Sequence, residues 1–262
     1  MTTSPDDEEL PEYVVRNRAL WDAEADAWVS PGERHWRTDP TWGIWAVPES
    51  ELALLPPDMT GMRAIELGCG TGYVSSWMIR RGASAVGIDN SQRQLDTARR
   101  LAREHGVALV LHHGNAENVP EADASFDFAI SEYGAAIWAD PHVWIPEAWR
   151  LLRSGGELVF LGNHPIALLV MRLDSDLPAD RTLRNPYFGM HRIDWHEPNG
   201  RTGTEFNLPI SEWLRLFDRV GFDVIAYHEL RAPSTGPEAR FSVTADWAYD
   251  YPCEQVWKLR KR

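Results

Sequence analysis

Between Arg63 and Gly162, short β-rich runs alternate with amphipathic segments of helical length. RAIEL (63–67) leads into YVSSWMIRRG (73–82), SAVGID (84–89) into SQRQLDTARRLAREHG (91–106), and ALVLHH (108–113) comes next. FDFAIS (126–131), VWIPEAWRLLR (143–153) and GELVFLG (156–162) complete the series. Strands and helices alternating through short connections predict right-handed βαβ units and a parallel sheet with helices on both faces, an α/β fold. Gly82 and Gly106 stand where helix C-caps belong, and Ser91 is placed to N-cap the second helix.

The pattern differs on either side of this core. EYVVRNRALWDAEADAW (12–28) sets Val14, Leu20 or Trp21, Ala25 and Trp28 near one helical face. Residues 30–48 read as a loop, punctuated by Pro31, Gly32, Pro40, Gly43 and Pro48. Five of the 13 tryptophans (Trp21, Trp28, Trp36, Trp42 and Trp45) fall within this region. They either pack the segment onto the body or form an aromatic lid over a ligand. Over 163–209 the alternation stops: prolines recur, IALLVMRL is a short helix candidate, and YFGMHRIDW and RTGTEFNL form a possible hairpin through EPNG. ISEWLRLFDRVGF then restores a helix with Gly221 as its stop, and FDVIAYHEL and EQVWKLRK supply two more strands. The expected organisation is an N-terminal tryptophan-rich cap over 1–60 and one domain over 61–262, with an insertion at 163–209.

Composition narrows the function classes. The 262 residues carry 26 Lys+Arg and 39 Asp+Glu, a formal net charge of −13. This balance argues against nucleic-acid binding through a general basic surface. Cys69 and Cys253 are too few for a disulfide framework or a cysteine-based zinc site, so a reducing compartment is expected. Residues 1–12 are acidic and read as a frayed tail; no signal-peptide pattern opens the chain, and no apolar run reaches the roughly 18–20 residues of a membrane span. A soluble cytoplasmic protein is the expectation.

The most informative segment is Ala64-Ile65-Glu66-Leu67-Gly68-Cys69-Gly70-Thr71-Gly72-Tyr73, which joins the first strand to the first helix. Glycines there let the backbone turn sharply and approach a ligand, and the helix start offers free N–H groups. The dinucleotide fingerprint needs Gly or Ala at position 73, where Tyr73 stands, and the triphosphate loop needs a Gly-Lys-Ser/Thr that is absent.

The remaining acid-x-G-x-G-x-G pattern, Glu66 through Gly72, resembles the class I S-adenosylmethionine-dependent methyltransferases, in particular their type 11 branch. The resemblance runs in register over about 63–162 and includes EAWRLLRSGGELVFLG. The segments 187–230 and YPCEQVWKLRK look like an actinobacterial-type subgroup. It implies a doubly wound, Rossmann-like seven-stranded sheet, mostly parallel with an antiparallel C-terminal strand. It also implies S-adenosyl-L-methionine as cofactor and S-adenosyl-L-homocysteine as product, with no metal. By the same resemblance, Gly68, Cys69, Gly70 and Gly72 lie beneath the cofactor and Glu66 holds its amino end. Asp89 takes both ribose hydroxyls, with Asn90 or Ser91 adding a polar contact. Asn115-Ala116-Glu117 faces adenine, although Asn115 stands where the family usually has an acid and could instead be a turn residue. Ser131 ends the fourth strand beside the sulfonium. Trp21 or Trp28 closes over the cofactor, an indole beside a sulfonium gaining a cation–π contact of about 0.5–2 kcal/mol.

Methyl transfer asks mainly for alignment, so no residue is forced by the chemistry. His164, after the fifth strand, is either a general base or a packed loop residue. Glu132, Tyr133, Trp36 and His191 are candidates for the substrate side. His191, Asp194, His196 and Glu197 invite a metal reading, but hairpin spacing sends the two histidines to opposite faces. The leading expectation is a methyltransferase acting on a small molecule through an oxygen or nitrogen nucleophile, with no membrane partner. An RNA- or protein-modifying enzyme and a non-catalytic cofactor-binding protein are the rivals. Oligomeric state is left open.

Overall fold

The computed structural model describes residues 10–175 and 177–262, so most of the acidic segment read as a frayed tail lies outside the described residues. The described chain opens with a 26-residue helix, Glu12–Arg37 (α1). The alternating core follows as Arg63–Leu67 (β1), Tyr73–Arg80 (α2), Ser84–Asp89 (β2), Gln92–Glu104 (α3) and Val110–His113 (β3). Phe126–Glu132 (β4), Pro141–Leu151 (α4) and Leu152–Asn163 (β5) continue it. Ile210–Val220 (α5), Phe222–Leu230 (β6) and Glu254–Lys261 (β7) complete the sheet layer.

The seven strands lie in the order β6-β7-β5-β4-β1-β2-β3. Strands β1 to β5 pair in parallel, and β7 runs antiparallel to both β5 and β6. The winding reverses between β1 and β4, and at such a switch point the loops leaving the strand ends diverge to form a crevice.

Both faces of the central strands are buried, which is why those strands read as nearly continuous apolar runs. Along β1, Ile65 and Leu67 join one core with Trp144, Phe217 and Trp257, while Ala64 joins the other with Trp77, Met78 and Val256. That is the period of two of an extended chain. In β4, Phe126 and Phe128 break the rule and enter opposite cores. A register shift between them in the pairing with β5 turns the strand over.

The caps follow the sequence. Ser91 Oγ accepts from Gln94 N at 3.2 Å, and Gly82, Gly106 and Gly221 take φ of +100°, +65° and +106° just past their helices. The predicted end of the first helix does not hold. Instead of stopping near Trp28, α1 continues through Pro31 to Arg37, and only the later part of 30–48 is loop-like. An interior proline costs about 3 kcal/mol, and tertiary packing offsets it. Gly32 lies so close to Thr71 that an added Cβ would stand 2.6 Å from its Oγ1. Trp36, 2% exposed, donates its indole N–H to the Thr71 carbonyl at 2.8 Å. Trp36, Trp42 and Trp45 are buried packing residues, whereas Trp21 and Trp28 stay half-buried.

Between β5 and α5 the chain forms a short helix, Pro165–Val170, and a hairpin with arms Arg192–His196 and Thr202–Phe206. No helix among the described residues is long and apolar enough to cross a membrane.

One contact fixes the crevice. A Cβ on Gly134, just past β4, would stand 2.4 Å from the Gly68 carbonyl oxygen and 2.5 Å from that of Leu67. Gly134→Ala is therefore expected to lower stability by about 1–3 kcal/mol. Gly236→Ala, whose Cβ would meet only the Ala245 methyl at 3.9 Å, should stay within about 0.5 kcal/mol of wild type. Urea unfolding compares them, and equal losses at the two positions would contradict the contact.

Candidate functional site

The turn after β1 is built by three glycines in the left-handed region, with φ of +79° at Gly68, +50° at Gly70 and +75° at Gly72. Gly68 N and Cys69 N both donate to the Ile88 carbonyl at 2.9 Å, and Gly72 N closes the turn on the Cys69 carbonyl at 2.7 Å. Gly68 is required by its close approach to Gly134. Gly70 has a different reason: a Cβ there would face open space, with only Gln94 Oε1 at 3.9 Å. That oxygen is buried and has no hydrogen-bond partner among the described residues, an acceptor beside the turn.

Asp89, at the end of β2, is tied to the same turn. Its Oδ2 accepts from Gly70 N at 2.7 Å and its Oδ1 from Ser91 N at 2.8 Å. Each oxygen retains a second lone pair, so the carboxylate can still accept two hydroxyls. Asn90 is engaged elsewhere, donating to the Val14 carbonyl at 2.8 Å and accepting from Arg18 at 3.0 Å.

Glu66 is 2% exposed. Its Oε2 accepts from Ser75 N at 2.7 Å and Ser75 Oγ at 2.6 Å, while burial pushes its carboxyl up to about 8. Cys69 is packed rather than reactive: burial, with the Asp89 and Glu66 charges adding to it, holds its thiol well above the ordinary range. Two more acids line the β4 side. Glu132 accepts from Gly43 N at 2.9 Å and from the Tyr73 hydroxyl, and burial raises its carboxyl. Glu254 accepts from the Tyr133 hydroxyl at 2.7 Å and Ile44 N at 2.9 Å, and is pushed up to about 7, again by burial. None of Glu66, Asp89, Glu132 and Glu254 is ion-paired by a described residue. Buried carboxylates without a counter-charge favour a cationic guest, which would lower the cost of ionising them.

Helix α1 straps the loops around this turn. The Tyr13 hydroxyl donates to both oxygens of Glu117, at 2.8 and 2.7 Å, and Asp22 Oδ1 accepts from Ser91 Oγ at 2.6 Å. Asn17, 2% exposed, donates to the Thr204 carbonyl at 2.8 Å. Asn115 makes a local turn, its Oδ1 accepting from Glu117 N at 3.1 Å, and Ala116 is buried in the core. Ser131, fully buried, donates to the Leu67 carbonyl at 2.7 Å and accepts from Ala136 N at 3.1 Å, joining the exits of β1 and β4. Trp21 meets Trp28 and Trp138 above these loops, at centroid distances of 5.8 and 5.2 Å.

Several predicted residues are not brought to the turn's open side. Trp36 packs with Leu101 and Ala102 behind Gly72 rather than lining a substrate pocket. His164, 3% exposed, caps the helix Pro165–Val170. Its Nδ1 accepts from Ile166 N at 3.1 Å, and its Nε2 meets the Tyr227 hydroxyl and Glu229 at 3.1 Å each, so both nitrogens are occupied. His191 meets Asp140 at 2.9 Å, and through Asp140 N the contact reaches Glu117 at 2.7 Å. Asp194 is taken up by Arg16, Arg192 and Thr204, and Glu197 by Arg201. No group of three His, Cys, Asp or Glu among the described residues could hold a metal ion. Residue-by-residue reading missed Tyr13, Tyr73, Gln94, Trp138 and Glu254. Only Tyr73 carried a signal, as the aromatic directly after the last glycine.

The open glycine turn, Asp89 with its spare lone pairs and the carboxylates that no described residue ion-pairs together favour a positively charged guest. A family model described as a methyltransferase domain matches residues 65–160. An uncharacterized methyltransferase of Mycobacterium bovis is 34% identical over 159 residues, which cover 56% of this chain and 63% of the relative. The ubiquinone biosynthesis O-methyltransferase of Maricaulis maris is 34% identical over 100 residues, 38% of this chain and 39% of that one. The chain thus spans less than two thirds of the length of these curated relatives. An S-adenosylmethionine-dependent methyltransferase from Mesorhizobium loti shares the fold with a TM-score of 0.65 at 23% identity, over 84% of this chain and 100% of that chain. Residues 65–160 are thus a methyltransferase domain of the type 11 branch of the class I S-adenosylmethionine-dependent methyltransferases.

Proposed function

We propose that this chain is an S-adenosylmethionine-dependent methyltransferase acting on a small molecule, with an oxygen or nitrogen nucleophile. The observation that carries the reading is the group of carboxylates around the glycine turn, buried at Glu66 and Glu254 and half-buried at Asp89 and Glu132, that no described residue ion-pairs. When bound, the cofactor supplies an already activated methyl group. What the chain's own residues do is bind, orient and exclude water. Asp89 receives the ribose hydroxyls through its remaining lone pairs, Glu66 receives the ammonium end, and Gly70 leaves room for the approach. The carbonyl of Asn115 accepts from the adenine amine while keeping its turn. Glu132, which accepts from the Tyr73 hydroxyl, is the carboxyl nearest to the role of proton holder, and His164 is left to its cap. Alignment of nucleophile and methyl at near-attack distance is worth roughly 7–11 kcal/mol in favourable cases, so a dedicated base is not obligatory. The O-methyltransferase relative from Maricaulis maris supports an oxygen nucleophile.

Asp89→Ala is expected to weaken S-adenosylmethionine binding at least tenfold, about 1.4 kcal/mol or more. Isothermal titration of wild type and variant measures it, and equal affinities would remove the ribose assignment.

Glu66 gives a pH signature. Its carboxyl lies near 8 in the free protein, and a bound cation would lower that value. Below pH 8, binding must therefore release a proton, and affinity should rise from pH 6.5 to 8. Glu66→Gln should flatten this part of the profile. Titration in buffers of differing ionisation enthalpy reads the released proton directly, and an identical pH profile in the variant would show that Glu66 does not face the cofactor's charge.

A further inference from the structure

The hairpin with arms Arg192–His196 and Thr202–Phe206 carries two acids with opposite surroundings. Ile193 pairs with Glu205, Asp194 with Thr204 and Trp195 with Gly203, so Glu205 and Trp195 share one face and Asp194 lies on the other. Asp194 accepts from Arg16 at 2.9 Å and from Arg192 at 3.0 Å. Glu205, only 7% exposed, is ion-paired by no described residue. Arg201 stands 5.9 Å over the Trp195 ring, yet it pairs with Glu24 and Glu197 instead. Glu205 Oε2 accepts from Asn163 Nδ2 at 2.9 Å, and the Trp195 side chain lies beside the carboxyl. Oε1 takes no well-formed hydrogen bond from a described residue and, unlike the Trp195 indole nitrogen, is not sealed from solvent. Burial pushes this carboxyl up to about 7, the Trp195 and Asn163 side chains opposing it only in part.

Its position places it over the crevice. Asn163 is the last residue of β5, two beyond the Leu161 that pairs with Glu132 of β4. The arm bearing Glu205 packs against the short helix Ala135–Trp138, which follows Gly134, and the Trp195 ring meets Trp138 at 6.4 Å. Glu205 therefore stands beyond the exits of β4 and β5, where doubly wound sheets take their ligands. Glu132, Tyr133, Trp138, Asn163 and Trp195 all keep part of their surface open to solvent. Charge counting asks for a cation on this side. The cofactor brings an ammonium, which the function proposed above gives to Glu66, and one sulfonium. Glu132, Glu254 and Glu205 share only that sulfonium, so a second cation has to come with the other reactant. A carboxylate beside an indole suits an organic ammonium, which gains both the charge pair and the ring face.

We propose that Glu205, oriented by Asn163 and flanked by Trp195, receives a protonated amine, and that the methyl acceptor is an amine-bearing small molecule. That the amine belongs to the methyl acceptor rests on the function proposed above; the cation site at Glu205 does not.

The full-length protein, with and without S-adenosylhomocysteine, is titrated by calorimetry with benzylamine and with benzyl alcohol, probes alike in shape that differ in charge. Salt at about 0.15 M suppresses loose attraction to an acidic surface. Benzylamine is expected to bind at least tenfold more tightly than the alcohol. Glu205→Gln should cut that preference below twofold, while S-adenosylhomocysteine affinity stays within twofold of wild type. Asp194→Asn, on the far face of the same hairpin, should leave the preference intact; an equal loss there would make it an effect of net charge and overturn the site. Glu205→Asp keeps the charge but draws it back by one methylene, and should retain part of the preference. Should Glu205→Gln lose the wild-type circular dichroism, Glu205→Asp carries the test, and an unchanged preference in it counts against the site. The site is also overturned if the two probes bind alike, if benzylamine does not bind at millimolar concentration, or if the preference survives in a folded Glu205→Gln. A Glu205-dependent preference in a protein that takes up no S-adenosylhomocysteine would instead refute the methyltransferase reading and leave the cation site standing.

Discussion

Two parallel strands whose connections leave to opposite sides of the sheet meet, backbone against backbone, where Gly68 follows β1 and Gly134 follows β4. An added Cβ on Gly68 would stand 2.5 Å from Gly134 Cα, and no rotamer change can relieve a backbone clash. This contact sets how far apart the two loops stand, and the rest of the site is hung from it. Ser131 bridges the same two exits, and Asp89 ties the turn to β2. A crevice at the switch point of a parallel sheet is general; the glycine contact gives this one its dimensions.

Around that frame the electrostatics are one-sided. Four acids converge on the strand ends, and their hydrogen-bond donors are backbone N–H groups and hydroxyls rather than arginine or lysine. Neutral donors stabilise a carboxylate less than a counter-ion does, so burial keeps Glu66 and Glu254 well above the ordinary range. Several of the described cations lie elsewhere. Arg63, Arg150 and Arg201, for example, pair with Glu121, Glu147 and Glu197 away from the turn. The site thus holds a deficit of positive charge that a cationic ligand removes.

Much of the fold was legible because the strands obey local rules. β1, β2, β6 and β7 begin and end at the residues the hydrophobic runs predict, and the glycine turn and Asp89 fall in register. What local rules could not show is where distant partners overrule them. Pro31 reads as a helix stop until Thr71 and Trp36 are known to close on one another. His164 reads as either a base or a packed loop residue, and only Ile166 N, donating to its Nδ1, shows the packing. Trp36 reads like its four neighbours, yet only its own position behind Gly72 takes it away from any pocket. Tyr73 with Glu132 and Tyr133 with Glu254 are 59 and 121 residues apart, so no spacing rule couples them. The register shift between β4 and β5, invisible in an apolar run, falls between two phenylalanines that enter different cores.

The first helix is an evolutionary handle. Tyr13, Asn17, Arg18 and Asp22 grip segments that follow three different strands, together with one arm of the distant hairpin. A change in any one strand end alters one wall. A change of pitch, length or tilt in this single amphipathic rod moves several walls at once and leaves the sheet beneath it untouched. Such an arrangement lets a lineage diversify what it admits while inheriting unaltered what it holds underneath.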